Sequence, residues 1–327
     1  MEGLDALKNK SRIGCEVSSR LSIDCVYIAA CATDARYTRI CVASIRYFYP
    51  DIPVRLLVSG NLQRGLAKEL QRHWDVGIED LPGRGEYGWG FVKLEPLFGR
   101  PEERFLVLDS DTVLTGPILD CWSDTTSHFL VDDEEQSEAD TKRLYYDWEK
   151  VRLIDTSAQP PHFVFNSGQW FGTAGVLTRS DFAPWVDWRL PRQLRYPELF
   201  MPGDQGILNY VFNQKETLEG LRVGRQPIMR WPANSMKGLD AATISKRTAP
   251  PQIVHWAGLK KARVSEMPGA DLLAFYEKVY YERLPAAGAQ RTFASCRHVV
   301  SHKLVESKVR TKLAIRKYVT WARAFLA

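Results

Sequence analysis

Short, almost uninterrupted apolar runs alternate with segments of helical period along the first 80 residues, and no other feature constrains the fold as tightly. Residues 24–32 (DCVYIAACA) are apolar and rich in β-formers, as a strand buried on both faces must be. Tyr37, Cys41, Ile45 and Phe48 then recur at helical spacing until Pro50 stops the helix. VRLLVSG (54–60) predicts a second buried strand, residues 61–73 a helix, and VGIEDLP (76–82) a third strand. A β-α-β-α-β order predicts an α/β fold with a mostly parallel central sheet and helices on its faces.

The same grammar continues. A Gly-rich loop (83–90) precedes FVKLEPLFG, a helix expected to bend or end near Pro96. RFLVLDSDTVLTG (104–116) reads as a buried strand running into two acids, and SHFLVDDE (127–134) as another. Residues 135–160 are polar and predict a mobile loop or helical insertion. FVFNSGQWFGT (163–173) reads as a strand with one glycine, SDFAPWVDWRL (180–190) as a helix capped by Ser180, GDQGILNYVFNQ (203–214) as a helix, and QIVHWAG (252–258) as a last buried strand. No repeat or Pro/Gly/Ser linker interrupts this stretch. Residues 23–285 are therefore expected to form one domain, between a polar extension (1–22) and a basic tail (286–327).

Composition narrows the classes. With 327 residues, 45% hydrophobic and 25% charged, the chain has apolar material for a core and is neither disordered nor collagen-like. Six cysteines without a C-x-x-C pair predict reduced thiols rather than a zinc finger or a disulfide framework. The net charge of +5 is uneven: the tail holds nine Lys and Arg against the single acid Glu306, so the remainder is mildly acidic. In the tail Val305, Val309, Leu313, Tyr318, Trp321 and Phe325 recur at roughly helical spacing. Residues 298–326 are expected to form an amphipathic helix, packed on the body or lying on an anionic membrane surface. Nucleic acid is not an expected partner. Without an apolar signal-peptide core or a run of eighteen apolar residues, the chain is expected to be cytoplasmic, either free or, through its tail, peripheral on the inner face of a membrane.

The chemistry gathers at predicted strand ends, where ligands bind in open α/β sheets. Asp109-Ser110-Asp111 places two carboxylates two residues apart, within reach of one hard divalent cation. His255 ends another buried strand and would add an imidazole, favouring Mn²⁺ over Mg²⁺. Lys260, Lys261 and the earlier Lys93 suit a diphosphate. Asn166-Ser167-Gly168 and Asp204-Gln205 supply amides and a carboxylate of the kind that bind sugar hydroxyls, although Asp204 equally suits a helix N-cap.

In order, L-D-S-D-T-V, F-N-S-G, G-D-Q-G-I-L-N and H-W-A-G-L-K-K resemble glycosyltransferases of the GT-A fold, a Rossmann-like nucleotide-sugar-binding architecture. The resemblance is strongest to family eight, which includes glycogenin and bacterial lipopolysaccharide galactosyl- and glucosyltransferases, and spans roughly residues 24–262. It implies a retaining hexosyltransferase that uses a UDP-sugar with Mn²⁺ or Mg²⁺ and a carbohydrate, glycolipid or protein acceptor. By position, Asp109, Asp111 and His255 match the metal ligands. Gly258, Lys261 and Lys93 match residues that hold the donor diphosphate. Asn166 matches the donor-sugar amide and Asp132 or Asp133 an acid near that sugar, with Ser110 and Ser167 completing the donor set. Asp204 and Gln205 match the catalytic pair beside the anomeric carbon. Ala29, Ala30, Thr33 and Asp34 lie where uridine binds, and Tyr37 corresponds to a tyrosine on which uracil stacks. Where the family often reads K-P-W, this chain has Lys261-Ala262-Arg263.

Two other readings compete. A nucleotidyltransferase would also pair acids with a metal, but needs a Gly-rich phosphate loop after its first strand, where this chain has A-A-C-A-T-D. A non-catalytic nucleotide-sugar-binding protein on the same fold would ordinarily have lost a metal acid, and here all three ligands are present.

Overall fold

The computed structural model describes residues 23–81, 83, 87, 90–122, 126–232, 236–259 and 263–285. The expected extension (1–22), basic tail (286–327) and Lys260–Lys261 lie outside the described residues. The first half runs β1 (Cys25–Ala30), α1 (Ala35–Phe48), β2 (Val54–Val58), α2 (Leu66–Trp74) and β3 (Val76–Ile78). A 3₁₀ helix (Phe91–Phe98) leads to β4 (Arg104–Asp109), β5 (Thr112–Leu114) and β6 (Phe129–Asp132). The polar insertion forms α3 (Glu138–Leu144) and α4 (Trp148–Arg152), each capped by an acceptor side chain, Ser137 and Asp147.

The second half runs β7 (Gln169–Thr173), α5 (Arg179–Phe182), β8 (Val186–Asp187), β9 (Gln193–Leu194) and α6 (Asp204–Glu219). It closes with β10 (Val223–Gln226), β11 (Met229–Arg230), α7 (Ala241–Ser245), β12 (Ile253–His255) and α8 (Ala270–Glu282). Among the described residues no helix is long and apolar enough to cross a membrane.

The expected α/β architecture holds. Seven strands form one sheet in the order β10-β6-β7-β4-β1-β2-β3, in which only β7 runs against its neighbours. Strand β4 is central, and period-two alternation divides its apolar run between two cores. Leu106 and Leu108 join the side chains of α1, α2 and α8, whereas Phe105 and Val107 join those of α6 and β7. Both faces are covered, so polar alternation would have no use in β4. Beyond Asp109 the chain turns at Ser110–Asp111 and enters a second sheet, β11-β12-β5, in which β12 lies antiparallel to β5. The D-S-D segment is therefore the joint between two sheets, not the end of one strand.

Two segments differ from the sequence expectation. Residues 163–173 are not one strand: Val164 makes an isolated bridge with Glu134, the continuous strand starts at Gln169, and between them Asn166–Gly168 form a turn closed by the Gly168 N–H on Asn166 Oδ1 (2.9 Å). Upstream, the Asn209 side chain accepts from Phe165 N–H (2.8 Å) and donates to Phe165 O (2.9 Å), satisfying backbone that a strand neighbour would otherwise have bonded. Residues 180–190 are not one helix. Thr178, rather than Ser180, caps the short α5 in a capping box with Asp181. Pro184 cannot donate to a helix ladder, and Val186–Asp187 pair with β9 instead. Helix α8 had no sequence expectation; it packs Leu272, Leu273, Tyr276 and Tyr280 into the core of α1.

Asp132, expected near the donor sugar, ends β6 facing away from the cleft described below. It is buried, and its Oδ1 accepts the Met229 N–H (2.8 Å) where β11 begins. Burial, with repulsion from Glu134 and Asp133, raises its carboxyl to about 7. The folded protein thus keeps a proton that an unfolded Asp releases near pH 4. Its contribution to stability is greatest below about pH 4, declines as the pH rises and is lost above about pH 7. Asparagine cannot ionise, and its amide oxygen can still accept from Met229. Between pH 5 and pH 8 the stability of Asp132→Asn relative to wild type is expected to improve by about 2–3 kcal/mol, measured from urea midpoints at the two pH values; a constant difference would refute the raised carboxyl.

Candidate active site

A cleft of 610 Å³ opens at the carboxyl ends of β1 and β4, where an open α/β sheet binds ligands. Its other walls come from the 3₁₀ helix, the Asn166–Gly168 turn, the start of α6 and the residues after β12. The register of β4 against β7 pairs Leu108 with Gln169, so the turn lies beside Asp109, whose N–H donates to Gly168 O at 2.7 Å.

Asp109, Asp111 and His255 meet at one corner, offering ligand atoms that all lie within 4.8 Å of one another. Three elements bring them there. Asp109 ends β4, Asp111 sits in the joint, and His255 is paired opposite Thr112 across the small sheet. His255 Nε2 lies 3.5 Å from Asp111 Oδ1 and 3.7 Å from Asp109 Oδ2. Two carboxylates and one imidazole suit Mn²⁺, with water or substrate oxygens completing its shell. The imidazole is buried with Nε2 toward both acids, while Nδ1 makes no hydrogen bond. A side chain on Gly168 would occupy the ring's place: its Cβ would lie 2.2 Å from His255 Cε1 and 2.8 Å from Asn166 Oδ1. The residues present fit a divalent cation.

Lys93 is buried behind this corner rather than exposed on a helix. Its Nζ ion-pairs with Asp109 Oδ1 (3.2 Å) and Asp204 Oδ2 (3.0 Å) and donates to Ser167 O (3.1 Å). Burial alone would lower the ammonium's pKa, but the two carboxylates outweigh it and hold the group above its usual value. Asp204 is pushed up by burial, opposed by Lys93, with Asp109 adding repulsion. Asp204 is not the N-cap of α6, a position held by Gly203. Gly90 gives it room: with φ at +81°, Gly90 would place a Cβ 1.9 Å from Asp204 Oδ1. Gln205 is held at both ends. Its Nε2 donates to Leu144 O (2.8 Å), and its Oε1 accepts from Asn166 Nδ2 (3.1 Å) and Ser167 N–H (3.4 Å).

At the β1 end, Ala29, Ala30 and Asp34 line the cleft, as does Gly258 opposite. Three expected donor contacts are placed differently. Ser110 is buried and donates to Asp34 Oδ2 (3.1 Å), tying the first loop to the joint instead of facing ligand. Thr33 is exposed outside the cleft wall and donates to Asp34 Oδ1 (3.2 Å). Tyr37 belongs to the core, with its hydroxyl on Met267 Sδ (3.7 Å), so it presents no face to a base. Sequence reasoning missed Trp231, which lies over the His255 ring with centroids 5.5 Å and planes 19° apart. It follows a two-residue strand too short to leave a periodic signal.

No family model and no curated protein matches this sequence. Among solved structures, the fold is similar to that of the apo bifunctional glycosyltransferase WbbM, at 16% identity and a TM-score of 0.51 over 80% of this chain and 51% of WbbM. This chain thus spans about half the length of WbbM. It is also similar to an active-site glutamine-to-glutamate mutant of LgtC, at 14% identity and a TM-score of 0.50 over 77% of this chain and 94% of LgtC. The fold is the GT-A fold of glycosyltransferases.

Gly168→Ala should displace the imidazole. Affinity for Mn²⁺, read from the spectrum of free aquo-ion, is expected to fall at least tenfold (about 1.4 kcal/mol), with the melting temperature moving by only a few degrees. Unchanged affinity would show that His255 needs no such cradle.

Proposed function

On the premise of a GT-A fold, we propose that this protein is a metal-dependent retaining glycosyltransferase, moving a hexose from a UDP-sugar to an acceptor hydroxyl. One observation carries the reading. Asp109, Asp111 and His255 converge at the carboxyl end of β4 with ligand atoms all within 4.8 Å of one another, two carboxylates and an imidazole that a divalent ion would satisfy. The cleft beside them has room for a nucleotide sugar. A glutamine is also an active-site residue of LgtC.

When bound by Asp109, Asp111 and His255, the metal would neutralise the charge developing on the departing UDP. The chain's own groups do the rest. The uridine would lie against Ala29 and Asp34, with the diphosphate between the acids and Gly258. Lys261, expected to neutralise further phosphate oxygens, lies outside the described residues. Lys93, buried between Asp204 and Asp109, offsets the repulsion between the two carboxylates. Asn166 and Gln205 offer preset amides to the sugar. Because Gln205 is held at both ends, its carbonyl dipole needs no reorganisation as positive charge grows at the anomeric carbon. Retention would follow from front-face attack, with Gln205 stabilising the oxocarbenium-like state rather than bonding to it. Residues 23–285 would form the transferase domain. The tail, residues 298–326, would bring it to an anionic membrane surface on the cytoplasmic side.

The test is UDP release from a panel of UDP-sugars, with and without Mn²⁺. Release is expected from one sugar, only with metal, and to fall at least 100-fold in Asp111→Ala, about 2.7 kcal/mol. Pyrophosphate release from a nucleoside triphosphate would instead identify a nucleotidyltransferase. Metal-dependent UDP binding with no turnover in the presence of any acceptor would identify a binding protein.

A further inference from the structure

His255 has an unusual support. A metal-binding histidine is ordinarily oriented by a hydrogen bond on its second ring nitrogen, but His255 Nδ1 is buried without one. The plane of the ring is set instead by Gly168 on one side and by the stacked indole of Trp231. The orientation of Trp231 therefore matters, and Glu134 determines it: the indole N–H donates to Glu134 Oε1 at 3.2 Å.

The other oxygen of Glu134 is also engaged. Oε2 accepts the Tyr145 hydroxyl at 2.6 Å. Burial, with Glu134 beside it, pushes the Tyr145 phenol far above its ordinary range, so it remains a donor. Tyr145 directly follows α3, and the carbonyls there support the α6 start. Leu144 O accepts from Gln205 Nε2 (2.8 Å), and Tyr145 O accepts from Met201 N–H (2.7 Å). Gly206 permits the close approach, since a Cβ there would lie 2.3 Å from Tyr145 O.

We propose that Glu134 is a positioning residue that holds the metal-facing His255, through Trp231, and the sugar-facing Gln205, through Tyr145, in one frame. The inference rests on the transferase reading above. A carboxylate suits the task because both of its oxygens accept, matching the indole N–H and the Tyr145 hydroxyl that donate to them. Glutamine keeps one accepting oxygen and replaces the other with a donor, so Glu134→Gln can still hold Trp231. Alanine holds neither.

Mn²⁺ affinity in the presence of UDP, together with the melting temperature, tests the Trp231 arm without relying on turnover. Glu134→Ala is expected to weaken Mn²⁺ binding about tenfold, with a melting temperature within a few degrees of wild type and with most of the affinity restored in Glu134→Gln. Tyr145→Phe tests the other arm. It leaves Glu134 on Trp231, so Mn²⁺ affinity should hold while kcat for UDP release falls several-fold. Wild-type Mn²⁺ affinity in Glu134→Ala would overturn the positioning role and leave the transferase reading standing. So would a loss of affinity that only follows loss of fold and is not rescued by glutamine. Failure of the wild-type protein to bind Mn²⁺ at all would overturn the transferase reading, and this inference with it.

Discussion

The buried ammonium of Lys93 is the interaction on which the active-site corner depends. A lysine this far from water is tolerated only where opposite charge and hydrogen bonds replace its hydration. Asp109, Asp204 and Ser167 supply these, and each comes from a different part of the chain: the end of β4, the start of α6 and the turn before β7. The 3₁₀ helix carrying Lys93 thus draws three elements to one point. Removing the lysine would leave two carboxylates close together and short of a cation, and removing Asp204 would leave a buried ammonium half-satisfied. Such losses typically cost several kcal/mol.

Around that point the site has little freedom. Glycines at 90 and 168 stand where any side chain would collide with Asp204 or His255. The Gln205 amide is bonded at both ends. The arrangement is set before any ligand arrives, the condition under which dipoles and charges stabilise a transition state without first having to reorient. The β1 side is plainer, with small side chains and Asp34 held by Ser110 and Thr33.

Much of this was legible because the strongest sequence signals are also the strongest physical demands. Strands buried on both faces must be apolar throughout, so β1, β2 and β4 announced themselves, and the acids following β4 had to lie at its carboxyl end. What failed was orientation. Tyr37 satisfies the helical period of a buried face, and the same position could have been read as a stacking platform; only the packing of α8 over α1 decides. Asp132 ends its strand as Asp109 does, but β11 claims its carboxylate, and a two-residue strand leaves no pattern to detect. The turn at Asn166 was hidden because the backbone before it is bonded by Asn209, more than forty residues away. Glu134 and Trp231 are separated by 97 positions, and nothing in the spacing of either suggests the other.

The division of the D-S-D segment between two sheets has a mechanical side. Asp109 belongs to the seven-stranded sheet, while Asp111 leads into the three-stranded one that also carries His255. An ion shared by these ligands would act as a rivet through the seam. The two sheets would be stiffest when charged with metal and nucleotide and loosest after both leave, so backbone amide exchange along β5 and β12 would follow the loading of a cleft that these strands reach only through His255.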